Sequence, residues 1–283
     1  MMYFKLFIST IMMALGFGAR RSVVGASLIL TTMAGGSAFA SGPRESGVVS
    51  HIGTGTRSVP LGGAIFAGLG YDQLVWGDPS EGRVLYGYVR PAIETALAPS
   101  LFVVETKISI YPVSFVGLTF GRVEAFRNTS TSLSVDCAEL ECGGRLRADY
   151  ATLDLTLGAR GWVYLGQGDW RDERPERTRF DFYEDSLVLP GARGGDKALS
   201  QVHTFGRQLN LNGLESAFAG INFRRSQLVQ SGASSERYGV VVMGTRGPYR
   251  VSGIIGLYQS TWRGLQPTVG VSFDWVPRAG LAL

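Results

Sequence analysis

Lysine is nearly missing from this chain. It occurs at positions 5, 107 and 197 only, so arginine carries almost all of the positive charge. Charged residues of both signs make up 18% of the chain, below the roughly 25% of an ordinary soluble domain. The net charge is +4 and no run of Lys or Arg forms a stripe, so charge gives no support to a nucleic-acid partner. Histidine is limited to His51 and His203, and cysteine to Cys137 and Cys142. Zinc asks for about four ligands, and the cysteine pair has only those two distant imidazoles to recruit. No cofactor is expected. Gly191-Ala-Arg-Gly-Gly195 reads as a flexible connection, because a phosphate cradle needs a helix N-terminus after it and none is predicted. After Ser41 no stretch approaches ~18 consecutive apolar residues, which excludes a transmembrane helix in that part of the chain.

What the chain does have is glycine, 39 residues of it, mostly inside apolar stretches. Glycine weakens an ordinary strand and gives it nothing to pack. A closed barrel uses it, because closure demands tilt and the interior must make room for large side chains. The N-terminus reads as a secretory leader over residues 1–40. Lys5, Arg20 and Arg21 precede an apolar stretch from Val23 to Met33, and Ala38 and Ala40 give a small-x-small cleavage pattern before Ser41. Met12 and Met13 allow a later start codon. The Arg-Arg pair does not make a twin-arginine signal, because its flanking residues fit poorly and a barrel precursor must cross the inner membrane unfolded. Export through the general secretory pathway is the expectation.

The mature chain carries long period-2 segments. In a strand, alternate side chains go to opposite faces. Leu265, Pro267, Val269, Val271, Phe273 and Trp275 oppose Gln266, Thr268, Gly270, Ser272 and Asp274. Phe102, Val104, Ile108 and Ile110 oppose Glu105, Lys107 and Ser109. Leu85, Val89 and Ile93 oppose Tyr86, Tyr88, Arg90 and Glu94. Similar alternation runs through 151–160, 216–224 and 250–257. These segments are longer than the usual soluble strand of about 5–6 residues and suit a tilted membrane strand. Aromatics gather near segment ends (Tyr71, Trp76, Tyr111, Phe126, Trp162, Tyr164, Phe273, Trp275), as at membrane interfaces. A soluble exported β-sandwich that binds a ligand is the alternative, but it would place charge outside and large apolar groups in its core.

The leader, the glycine-rich alternating strands and the final strand Val269-Gly-Val-Ser-Phe-Asp-Trp275 together resemble bacterial outer-membrane β-barrel proteins. The resemblance covers about residues 60–276. It implies an all-β, transmembrane up-and-down antiparallel barrel in the outer membrane, in contact with its lipids and lipopolysaccharide. It also implies that Phe273 and Trp275 act as a signal to the barrel-assembly machinery. Here Val276–Leu283 follows the last aromatic, whereas the class typically ends on one.

The pattern predicts strands near 61–75, 82–95, 100–110, 113–126, 149–158, 160–167, 178–189, 199–208, 214–226, 236–246, 249–260 and 264–276. That makes about twelve, with ten as the alternative if 151–165 is one strand and a weak segment is lost. The corresponding division is a leader at 1–40, a polar segment at 41–60, the barrel at 61–276 and a tail at 277–283. The loops conflict with this count. Barrels of this class have short periplasmic turns and long external loops. Pro112 reads as a tight periplasmic turn and 127–148 as a long external loop, and the count puts both on the wrong side. A strand before residue 110 is therefore missed or miscounted; Ser46–Thr56 is a feeble candidate.

Inward charges are predicted at Arg90, Glu94, Glu105, Lys107, Arg122, Asp154, Arg160, Arg224 and Asp274. With the two signs balanced, they read as an ion-paired interior rather than a selective constriction. Cys137 and Cys142, close together in a loop of an exported chain, read as a disulfide staple. A lipid-modifying hydrolase is the enzymatic alternative, with Ser200 and His203 as a candidate pair; their spacing puts them on opposite faces of a strand. His51 reads as solvated within the polar segment. The mixed-charge run 169–177 reads as a solvated loop able to meet lipopolysaccharide phosphates through arginine. Asn128-Thr-Ser130 has no meaning for a bacterial chain. The function expected is structural, surface-interacting or a narrow channel.

Overall fold

The structure, a computed structural model, describes residues 46–59, 62–79, 85–128, 137, 140–176, 181–184 and 189–277. The expected leader and nearly all of the tail lie outside the described residues. The strands are β1 (Gly47–Arg57), β2 (Gly62–Gly77), β3 (Tyr86–Ala98), β4 (Leu101–Val113), β5 (Val116–Arg127), β6 (Gly144–Ala159) and β7 (Trp162–Pro175). They continue with β8 (Phe182–Glu184), β9 (Leu189–Gly191), β10 (Asp196–Leu209), β11 (Ser216–Leu228), β12 (Ser234–Arg246), β13 (Tyr249–Ser260) and β14 (Arg263–Trp275). All except β8 and β9 form one closed antiparallel barrel, and β1 closes it by pairing with β2 on one side and β14 on the other. No described helix is long and apolar enough to cross a membrane.

Twelve wall strands is the number expected, but two of the assignments change. The wall begins at Gly47 rather than at 61, so the segment expected to be polar and outside the barrel supplies β1. Segment 178–189 is not in the wall; its described residues belong to the separate ribbon β8–β9. With β1 in place the parity conflict disappears. The turn at Ser114 and Phe115 falls at the end that holds the termini, and the connections 128–143 and 176–195 fall at the other. These are called the terminal end and the loop end below. The run through 151–165 breaks into β6 and β7 because Arg160 and Gly161 both adopt positive φ, 52° and 80°. That is the turn whose twist matches a two-residue hairpin.

The outer surface is apolar. Ile221 and Ile255 are each 64% exposed, and Ile65, Leu69, Leu153, Val240 and Leu265 are exposed with them. Between these positions lie buried small polar residues such as Ser109, Thr119, Ser252, Thr268 and Ser272. This inversion of the soluble pattern is what hydrocarbon outside and a polar interior require. Exposed aromatics sit toward both ends of the wall. Tyr71, Trp76, Trp162, Tyr249, Phe273 and Trp275 lie toward the terminal end, and Phe102, Phe126, Trp170, Tyr238 and Trp262 toward the loop end. Tyr111, expected in such a girdle, instead points inward and stacks on Tyr88 with ring centroids 4.3 Å apart.

Candidate functional site: the lumen

The ribbon β8–β9 lies across the loop end of the lumen. Phe182 and Leu189 are each 0% exposed. Phe182 packs with Ala64, Ala96, Leu101, Val103 and Leu146, inward residues of β2, β3, β4 and β6. Leu189 packs with Ala198, Leu228 and Ala233 on the opposite wall. The ribbon is therefore a strut from wall to wall. Backbone bonds tie it to the neighbouring loop, Glu141 N–H donating to the Asp181 carbonyl at 2.8 Å. In that loop Cys137 and Cys142 form the disulfide, with Cα atoms 5.6 Å apart. At its far end the buried Asp196 carboxylate accepts backbone N–H bonds from Ala192, Lys197, Gln230 and Ser231 at 2.8–3.1 Å, joining the ribbon's connection to the β11–β12 loop.

Below the strut, one side of the lumen is filled by acid–base pairs. Asp72 on β2 binds Arg90 on β3 at two points, 2.5 and 3.3 Å, and Arg90 lies over the Tyr88 ring at 5.5 Å. Lys107 reaches Glu94 at 2.6 Å and Glu105 at 3.5 Å. Tyr150 donates to Glu105, and Arg171 lies over the Tyr150 ring at 5.8 Å while holding Asp169 at 2.6 Å. Thr152 donates to Asp169 at 2.8 Å, and Gln167 to Asp154 at 3.0 Å. Glycine makes this density possible. A Cβ on Gly121 would fall 2.6 Å from the Tyr150 ring, and one on Gly117 2.5 Å from the Tyr111 ring.

The other side is different. Arg224 on β11 and Arg237 on β12 face each other directly in register and both point inward. Among the described residues no carboxylate lies within salt-bridge distance of either. Their bonds are to neutral groups: Arg224 Nε to Ser226 at 3.3 Å and Arg237 Nη2 to Asn222 at 3.4 Å. Arg57 lines the same small cavity. Arg250 points inward from β13 opposite Asp274 on β14.

Of the nine charges expected inside, Arg90, Glu94, Glu105, Lys107, Asp154, Arg224 and Asp274 line the lumen. Arg122 does not. It lies on the outer face, 51% exposed, paired with Asp149 at 2.6 Å. Around it the outer wall near the loop end carries Glu124 with Arg145 and Arg147, and Asp172 with Arg174. Arg160 is a turn residue at the terminal end, not a lumen residue. His51 is no solvated bystander; it points inward from β1, its ring 5.8 Å from that of Phe66. Within the run 169–177, residues 169–175 are strand, with Asp169 and Arg171 inside. Ser200 points inward and bonds Ser226 at 2.9 Å, whereas His203 points outward and bonds Tyr164 at 2.8 Å, so the two do not meet. Sequence reading missed Asp72, Asp169, Arg171, Arg57 and Arg237. Parity would have found Asp72, whose side chain alternates with the exposed Tyr71.

No protein-family model matches the chain, and no curated protein matches it by sequence. Solved structures resemble it in fold. The β domain of the Bordetella autotransporter BrkA is 14% identical with a TM-score of 0.40, over 81% of this chain and 98% of that one. The NanC porin is 11% identical with a TM-score of 0.40, over 80% and 98%. LpxR from Salmonella typhimurium is 7% identical with a TM-score of 0.41, over 80% and 99%.

Proposed function

We propose that this barrel sits in the bacterial outer membrane and serves as a narrow channel that prefers anions. The apolar, aromatic-edged outer face supports the membrane setting. The loop end faces outward in this reading, because the two longest connections, 128–143 and 176–195, lie there. The outward arginines Arg122, Arg145, Arg147 and Arg174 then lie at the height of lipopolysaccharide headgroups, whose phosphates suit guanidinium. Phe273 and Trp275, exposed at the end of the closing strand, remain the proposed signal for the barrel-assembly machinery.

One observation carries the channel reading: charge is separated across the lumen. On the β2–β7 side Arg90, Lys107 and Arg171 engage Asp72, Glu94, Glu105 and Asp169, and Asp154 is held by Gln167, so the acids outnumber the bases there, while Arg224 and Arg237 opposite have no carboxylate. Fixed charge of one sign on a low-dielectric wall attracts the opposite ion and repels its counter-ion. The strut of Phe182 and Leu189 keeps the passage narrow. Ser200 and His203, on opposite faces, offer no support to the hydrolase reading. Planar bilayers with the refolded mature chain test the proposal. Small discrete steps with an anion-selective reversal potential are expected, moving toward cations in Arg224→Gln and Arg237→Gln. A silent bilayer, or a cation preference, contradicts it.

A further inference from the structure

Two buried polar atoms without a hydrogen-bond partner, Arg237 Nε and Tyr258 Oη, converge on one cavity that Arg57 also lines. The cavity is about 20 Å³ and is lined also by Arg224, Ser226 and Ser235. That volume is on the order of one or two water-sized spheres. The strands set this convergence directly. Tyr258 on β13 is opposite Arg237, Arg237 is opposite Arg224, and one step toward the loop end Ser235 is opposite Ser226. Two like charges directly opposite in a sheet repel, and burying an unpaired charge is costly. Arg224 is only 9% exposed. The protein's own acids do not relieve this. Glu236 borders the cavity, but its carboxylate accepts from Tyr238 at 2.6 Å and lies 3.8 Å from Arg225, both on the outer face. Asp169 is held by Arg171 and Thr152. Arg57 has a further contact of its own and adds its charge.

We propose that this cavity is a site for one small monovalent anion of the size of chloride or formate. The donors fit an anion: two guanidinium groups and a phenol offer N–H and O–H, and the serine hydroxyls rotate to donate as well. A neutral water would satisfy the orphaned donors but leave the Arg224–Arg237 repulsion in place. The volume excludes a large organic anion from full entry. The site rests on the reading of the lumen as reachable from water, not on conduction, so the two fail separately.

The test is thermal unfolding of the refolded mature chain in detergent, with sodium chloride or sodium formate titrated against sodium gluconate at constant ionic strength. A saturable rise in the midpoint with chloride and formate, and none with gluconate, is expected. Arg237→Met is expected to abolish the saturable rise. Tyr258→Phe, which keeps the ring and both charges, is expected to weaken the apparent anion affinity about tenfold and decides the matter if Arg237→Met does not fold. Equal midpoints in chloride and gluconate overturn the site, as does an anion response identical in wild type and in the variants that fold. A retained anion response in a barrel that does not conduct removes the channel and leaves the site; conduction without the response does the reverse.

Discussion

Asp72 and Arg90 form a two-point ion pair inside the barrel, Nε to Oδ1 at 2.5 Å and Nη2 to Oδ2 at 3.3 Å, with the aspartate 0% exposed. The pair bridges β2 and β3 near the terminal end, where Tyr88 and Tyr111 stack beside it. Removing one partner of such a pair leaves a buried charge uncompensated. Asp72→Asn is therefore expected to cost about 3–5 kcal/mol of stability. Asp72→Leu combined with Arg90→Met should recover most of that loss. Denaturant unfolding in lipid vesicles measures both. A single variant as stable as wild type would show that the pair carries no such weight.

Arg122 and Asp149 make a pair of similar geometry on the exposed outer wall. Solvation and screening leave such exposed pairs contributing little to stability. Arg122→Ala is expected to leave the unfolding midpoint close to that of wild type and the reversal potential of the channel where it is, because the side chain never meets the permeating ion. A shift in selectivity from this substitution would place Arg122 in the lumen after all.

The strand pattern was legible from the residues wherever apolar and polar side chains alternated cleanly, as in β3, β4, β11, β13 and β14. It failed in physically specific places. The outward residues of β1 are Val48, Ser50, Ile52, Thr54 and Thr56, too polar to mark a lipid face, while Gly53 and Gly55 leave its inner face blank. Arg122 shares parity with Leu118 and Phe120 but lies beyond the apolar band, where the outer wall carries charge without burying it; reading it by charge instead of parity put it inside. Segment 178–189 resembled a strand because Phe182 and Leu189 are apolar, though they anchor a strut and not a wall. Arg237 was hidden because Val240, Val241 and Val242 blur the alternation of β12. Which inward charges find partners is a matter of cross-strand register and barrel closure, and neither is written in any one segment.

Gly121 and Tyr150 are the clearest case of interior fit. A methyl group at Gly121 would press on the ring that donates to Glu105. Gly121→Ala is expected to destabilise the barrel by about 1–3 kcal/mol. Gly168, where an added Cβ meets nothing within 4 Å, is the control: Gly168→Ala should be close to neutral under the same denaturant titration.

Phe182 holds the strut to the β2–β6 side of the lumen. Phe182→Ala removes a fully buried ring, a change that costs about 3–5 kcal/mol where the element cannot relax. The strut is a small local element, so the expected result is its release, with the wall melting as before and the single-channel conductance raised. Unchanged conductance would mean that the strut does not limit the passage.

Which side chains meet hydrocarbon decides whether this barrel spans a membrane inside-out. Single cysteines at positions 240, 241, 242 and 243, in a background with Cys137 and Cys142 replaced by serine, can carry a fluorophore in vesicles of brominated lipid. Strong quenching at 240 and 242 with little at 241 and 243 is the predicted result. Quenching that is uniform along the strand, or strongest at 241 and 243, would contradict the barrel's inside-out arrangement and everything built on it.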